Sequence, residues 1–172
     1  MKSASLNRRA ILGGLGFAAL GSATSDADAA ESSFAPEAAI EIVRKGATCS
    51  TSNCAKKALK DATPLLDTTG LPTVKLDPPP QILNKALYGL RKDVSVKSKA
   101  AISTDQRPDI MWLVDKATGE VLVARAYKDG DEAPYTCTGV FSGKVGLPVA
   151  AKMYSKEAGL WESETFELVR PM

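Results

Sequence analysis

Three consecutive prolines, Pro78-Pro79-Pro80, divide this chain into two parts with different periodicities. Proline fixes φ and lacks a backbone donor, so such a run can continue neither a helix nor a strand ladder. Elements on its two sides must therefore form separately. Before it, Pro36 to Lys45 places Ala39, Ile40, Ile42 and Val43 beside Glu37, Glu41 and Arg44, with Gly46 following. That pattern predicts a short amphipathic helix with a glycine stop. Asn53 to Leu66 is rich in helix formers (Ala55, Lys56, Lys57, Ala58, Leu59, Lys60) and predicts a second helix, with Ser52 as its N-cap and Pro64 ending or bending it. Asp67 to Pro80 turns to threonine, glycine and proline and reads as a linker.

After Pro80 the apolar residues alternate in short runs, the mark of half-buried strands. Val94 and Val96 alternate with polar neighbours, and Ile110 to Val114 is a compact apolar run. Val121 to Ala126 mirrors that run across a turn in which Thr118-Gly119 supplies the left-handed residue of a hairpin. Tyr135 to Phe141, Leu147 to Met153 and Trp161 to Val169 are further strand candidates, while Gln81 to Leu90 suits either a helix or a strand. The expected fold is mainly β: an immunoglobulin-like β-sandwich of six to seven strands preceded by two short N-terminal helices. The expected organisation is a signal peptide over 1–29, a helical segment and linker over 30–80, and the sandwich over 81–172.

The first 29 residues carry a basic stretch to Arg9, an apolar stretch from Ala10 to Ala23, and small residues ending Ala27-Asp28-Ala29. This is the layout of a cleavable export signal. Its apolar part is shorter than the roughly 20 residues of a spanning helix and contains Gly13, Gly14 and Gly16. Arg8 and Arg9, one residue before Ile11-Leu12, resemble the twin-arginine motif; an ordinary secretory signal containing two arginines is the alternative. The expected location is the periplasm, with no membrane association after cleavage. Removing the signal leaves 143 of 172 residues, enough for one domain. It also removes three positive and two negative charges from a net +2, leaving +1. That balance gives no electrostatic case for nucleic acid.

Histidine is absent from the sequence. Self-contained Ser-His-Asp and Cys-His sites and histidine-bound metals are therefore excluded. No cofactor and no enzymatic constellation is expected. Three cysteines remain, and an oxidising compartment suggests one disulfide and one free thiol. Cys49 and Cys54 are the candidate pair, which requires a turn around Ser50 to Ser52; a redox role is the alternative to a structural clip. Cys137 shares a strand face with Tyr135 and Gly139, and reads either as a buried apolar residue or as a reactive thiol. Lys128 to Glu132 reads as a solvated turn, and Trp112 and Trp161 as core residues.

The twin-arginine signal, the helix around Ala38 to Val43, the Val74 to Pro80 entry, and the strands Ile110 to Val114, Val121 to Tyr127 and Val149 to Val169 occur in an order that resembles the SoxY sulfur carriers of thiosulfate oxidation. The resemblance implies a periplasmic immunoglobulin-like domain that associates with a second β-sandwich of the SoxZ kind, or with an exported oxidoreductase. That family carries sulfur on a cysteine in a glycine-rich C-terminal arm. The segment Phe166 to Met172 contains no cysteine, so the carrier residue has no matching position. Ile110 to Leu113, Gly130-Asp131 and Ala150 to Trp161 are also similar to the iron-site region of superoxide reductase (desulfoferrodoxin). The cysteine and histidine of that family correspond to Ser155 and Ala158 here, so iron-centred chemistry is not expected. The implied function is a binding or accessory protein linked to sulfur-compound oxidation. The alternatives are a thiol carrier using Cys137, and a structural or ligand-binding domain outside sulfur metabolism.

Overall fold

The computed structural model describes residues 33–77, 79–84, 93–97, 107–140 and 144–170. The expected signal peptide with Arg8 and Arg9, Phe141, and the part of the Gln81 to Leu90 segment beyond Asn84 lie outside the described residues.

Helix α1 (Pro36–Ala47) starts with proline in its first turn, where the missing N–H has no intrahelical partner to lose. Glu37 near its start and Arg44 and Lys45 in its last turn complement the helix dipole. Ala39, Ile40, Val43 and Gly46 form its buried stripe. Gly46 lies inside the helix and does not stop it: a Cβ there would stand 2.5 Å from the Cβ of Ala58. The glycine is a contact point, letting α1 approach α2 (Ser52–Ala62) closely. The cap of α2 is Thr51 and not Ser52. Thr51 has the extended backbone (φ −123°, ψ 146°) that a cap requires, and its hydroxyl accepts from Cys54 N at 3.3 Å. Pro64 ends the α-helix and opens a 3-10 turn, Pro64–Leu66.

Eight strands follow among the described residues: β1 (Gln81–Asn84), β2 (Asp93–Lys97), β3 (Ile110–Asp115), β4 (Val121–Ala126), β5 (Thr136–Val140), β6 (Pro148–Ser155), β7 (Gly159–Glu162) and β8 (Phe166–Glu167). The count exceeds the expected six to seven because the Trp161 to Val169 run divides into β7 and β8, and because Gln81–Asn84 is a strand. All pairings are antiparallel. One sheet has three strands in the order β1-β2-β5; the other has five, β4-β3-β6-β7 with β8 also on β6. Gly119, at φ 75°, closes the β3–β4 hairpin as its sequence predicts.

Every residue of β3 is buried. Strands covered on both faces read as continuous apolar runs, which accounts for Ile110 to Val114. On one face Met111 and Leu113 pack with Val149, Ala151, Met153 and Trp161, and with Tyr135 and Cys137 from the β5 region. On the other, Ile110, Trp112 and Val114 pack with Ala39, Ile40 and Val43 of α1, Ala62 of α2 and Leu66. The helices thus cover one face of the five-stranded sheet. Polar ties hold them there: Arg44 donates to the Tyr127 carbonyl, and Val121 N donates to Thr63 Oγ1 at 3.3 Å. The segment read as a linker also belongs to this body. Leu76 is buried, and Val74 N donates to Leu160 O of β7 at 2.6 Å.

Candidate functional site

The cysteines are the first candidates for chemistry. Cys49 and Cys54 are joined, with Cα atoms 5.8 Å apart. Cys49 follows the end of α1 and Cys54 lies in the first turn of α2, so the bond bridges the bend at Ser50 and Thr51 that the pairing requires. It closes a loop between two helices that already touch at Gly46 and Ala58.

Cys137 is free and 2% exposed. It lies on β5 on the same side as Tyr135, as strand alternation predicts, and both are buried. Its Sγ donates to the Met111 carbonyl at 3.5 Å. Burial pushes the thiol up to about 12, with Arg125 pulling weakly the other way. At neutral pH the thiolate fraction is then about one part in 10⁵, and the thiolate is the reactive form. Beside it, Tyr127 donates to Thr136 O at 2.6 Å, stands edge-on to Tyr135 at 5.3 Å, and lies under the Arg125 guanidinium at 5.1 Å. Burial pushes the Tyr127 phenol up as well. These side chains form a packed wall and offer no reactive group to solvent.

The turn at Lys128 to Glu132 is closed by its own residues: Lys128 N donates to Asp131 Oδ2 at 3.0 Å, and Asp131 N to Lys128 O at 3.1 Å. Its Asp129 pairs with Arg107 at 2.7 Å. Ser155 and Ala158 likewise serve the β6–β7 turn, where buried Ser155 Oγ accepts from Ala158 N at 3.3 Å. Among the described residues no group of three or more Cys, Asp or Glu side chains is placed to hold a metal ion.

A second cluster was not visible in the sequence. Lys152 lies in the middle of β6, opposite Trp112 on β3 and Glu162 on β7. It is 8% exposed, although lysine is almost never buried without partners. Its Nζ donates to Thr68 Oγ1 and lies 3.3 Å from Glu162 Oε2; Lys116 Nζ reaches the other oxygen, Oε1, at 2.7 Å. Burial pushes the Glu162 carboxyl up, but the hydrogen bond from Lys116 and the charges of both lysines outweigh it and leave the group below its ordinary range. In sequence Lys152 reads as the polar member of an alternating strand. The available signal was its parity with Ala150 and Tyr154, which puts it on the face that the helices cover.

No helix among the described residues is long and apolar enough to cross a membrane. No family model, curated protein or solved structure matches this chain.

Proposed function

We propose that this chain is an exported periplasmic accessory protein that acts by binding a partner protein and forms no covalent intermediate of its own. The observation that carries the reading is Cys137. The one free thiol among the described residues is sealed in the core with its pKa raised, so it offers no thiolate to a visiting enzyme. That favours the accessory role over a thiol carrier using Cys137. The export half rests on the Arg8-Arg9 signal layout, and the link to sulfur-compound oxidation rests on the resemblance to SoxY. An immunoglobulin-like sandwich suits the same reading. Its support is the apolar cluster that draws Met111 and Leu113 from one sheet and Cys137 from the other, with Ile82 of β1 packed against it.

The implied partner is a second β-sandwich of the SoxZ kind or an exported oxidoreductase. Isolating the mature protein from its native periplasm under non-denaturing conditions tests this directly, with recovery of one such partner at fixed stoichiometry as the expected result. A solitary monomer overturns it. Intact-mass analysis of the same material should show Cys137 unmodified; a persulfide or thiosulfonate adduct there would restore the carrier reading.

A further inference from the structure

The two faces of α2 differ in kind. Ala55, Ala58, Leu59 and Ala62 recur at helical spacing and turn inward: Ala58 meets Gly46 of α1, Leu59 packs on the core beneath the helices, and Ala62 is buried. At about 100° per residue the opposite side falls to Asn53, Lys56, Lys57 and Lys60, all of them exposed. None of the three lysines makes an ion pair among the described residues, where the salt bridges are those of Arg107, Lys116 and Lys152.

This arrangement does not serve the helix. Lys56 and Lys60, and Lys57 and Lys60, are like-charge neighbours at i,i+4 and i,i+3, which weaken a helix. The first turn of α2 holds no acidic residue, whereas α1 places Glu37 there. Helix α1 also balances its exposed charges, Glu37 and Glu41 against Arg44 and Lys45. The whole chain sharpens the contrast. After residue 29 the net charge is +1, and α2, with three lysines and Asp61, contributes +2, so everything else sums to −1.

The face is also held in place. The Cys49–Cys54 bond and the Gly46–Ala58 contact fix α2 against α1, so the helix carrying the lysines is set before a partner arrives and less freedom is lost on binding. Asn53, Lys56, Lys57 and Lys60 include no aromatic or large aliphatic side chain, which an interfacial membrane helix requires. Carboxylates on a folded protein are its complement.

We infer that the outward face of α2 docks an acidic surface of the partner protein, with Lys56, Lys57 and Lys60 setting the rate and orientation of association. The inference rests on the accessory reading and extends it by naming the face and the partner's charge.

A nuclear magnetic resonance titration of the mature, disulfide-intact protein with a synthetic helical peptide bearing glutamates on one face tests this without the native partner. The same peptide with glutamines, and vesicles of anionic phosphatidylglycerol, are the comparison probes. The glutamate peptide should shift the amide signals of 52–62 ahead of all others, and raising salt from about 20 to about 200 mM should weaken it by about tenfold. Replacing Lys56, Lys57 and Lys60 together with glutamine keeps helix propensity and removes like-charge repulsion, so the variant should fold as the parent does and bind about tenfold more weakly. Replacing the exposed Lys75, Lys128 and Lys144 with glutamine makes the same change in net charge and should leave binding intact. The inference is overturned if the peptide does not bind up to about 5 mM, if the glutamine peptide binds as well, or if both triple variants weaken alike. Binding to the vesicles without binding to the peptide overturns it in favour of a membrane contact. A periplasmic partner held by the α2 variant as tightly as by the parent overturns it and leaves the accessory reading standing, whereas a solitary monomer overturns that reading itself.

Discussion

Replacing Gly46 with alanine sets two physical effects against each other. Helix propensity favours alanine over glycine by about 1 kcal/mol at an interior position, and Gly46 lies within α1. Packing opposes the change, because the added methyl would meet Ala58 Cβ at 2.5 Å. Carbon atoms rest at roughly 3.5–4.0 Å, so the helices must separate by about 1 Å. Ala58 Cβ is fixed to its backbone, and no rotamer change relieves the contact. Overpacking of this kind costs about 1–3 kcal/mol, and the rigid obstacle places it at the upper end. The expected net loss is about 2 kcal/mol, which lowers the urea midpoint by about 1 M for a domain of this size. Equilibrium urea unfolding with Cys49–Cys54 intact measures it. Adding Ala58→Gly removes the obstructing methyl and exchanges one propensity term for the other, so the double variant should return to within about 1 kcal/mol of the parent. A Gly46→Ala protein as stable as the parent, or more so, would refute the close-approach reasoning.

Three further outcomes are expected. A maleimide probe should leave Cys137 unlabelled in the native protein and label it fully in denaturant, since the thiol is buried and raised to about 12; rapid native labelling contradicts the sealed core. Replacing both Cys49 and Cys54 with serine should cost about 2 kcal/mol by loop-closure entropy, given the sequence separation of 5, again read from the unfolding midpoint. Glu162→Gln tests the lysine pair. Because the folded-state pKa of Glu162 is lowered, its contribution is fully present above the unfolded carboxylate value of about 4.3 and is lost as pH falls through the folded value. The variant should therefore melt below the parent at pH 7, with the gap closing on acidification below about pH 4; a gap independent of pH contradicts the assignment.

Strand β4 was legible because its apolar residues repeat with the period of the sheet, and it matches its sequence range residue for residue, while β3 was legible as a continuous apolar run bounded by a turn. The helices were legible too, up to their ends. Gly46 misled because a glycine after an apolar stripe looks the same whether it terminates a helix or admits a neighbour. Thr51 and Ser52 are both good caps, and only the extended backbone at Thr51 separates them. The Asp67 to Pro80 segment has the composition of a linker, yet single residues such as Thr68 and Leu76 are buried by partners far away in the chain. Lys152 is the clearest case of information absent locally. Its burial depends on a threonine 84 positions away and a glutamate on the next strand.

The Cys49–Cys54 bond has a consequence for timing if the chain leaves the cytoplasm folded, as the twin-arginine reading proposes. In the reducing cytoplasm the thiols stay open, so α1 and α2 must find each other through Gly46, Ala58 and the sheet beneath them. The bond then closes on arrival, across two helices already side by side. Under that proposal the molecule would be harder to unfold on the far side of the membrane than on the near side. On that proposal, export would add the crosslink's increment of about 2 kcal/mol to a fold already complete.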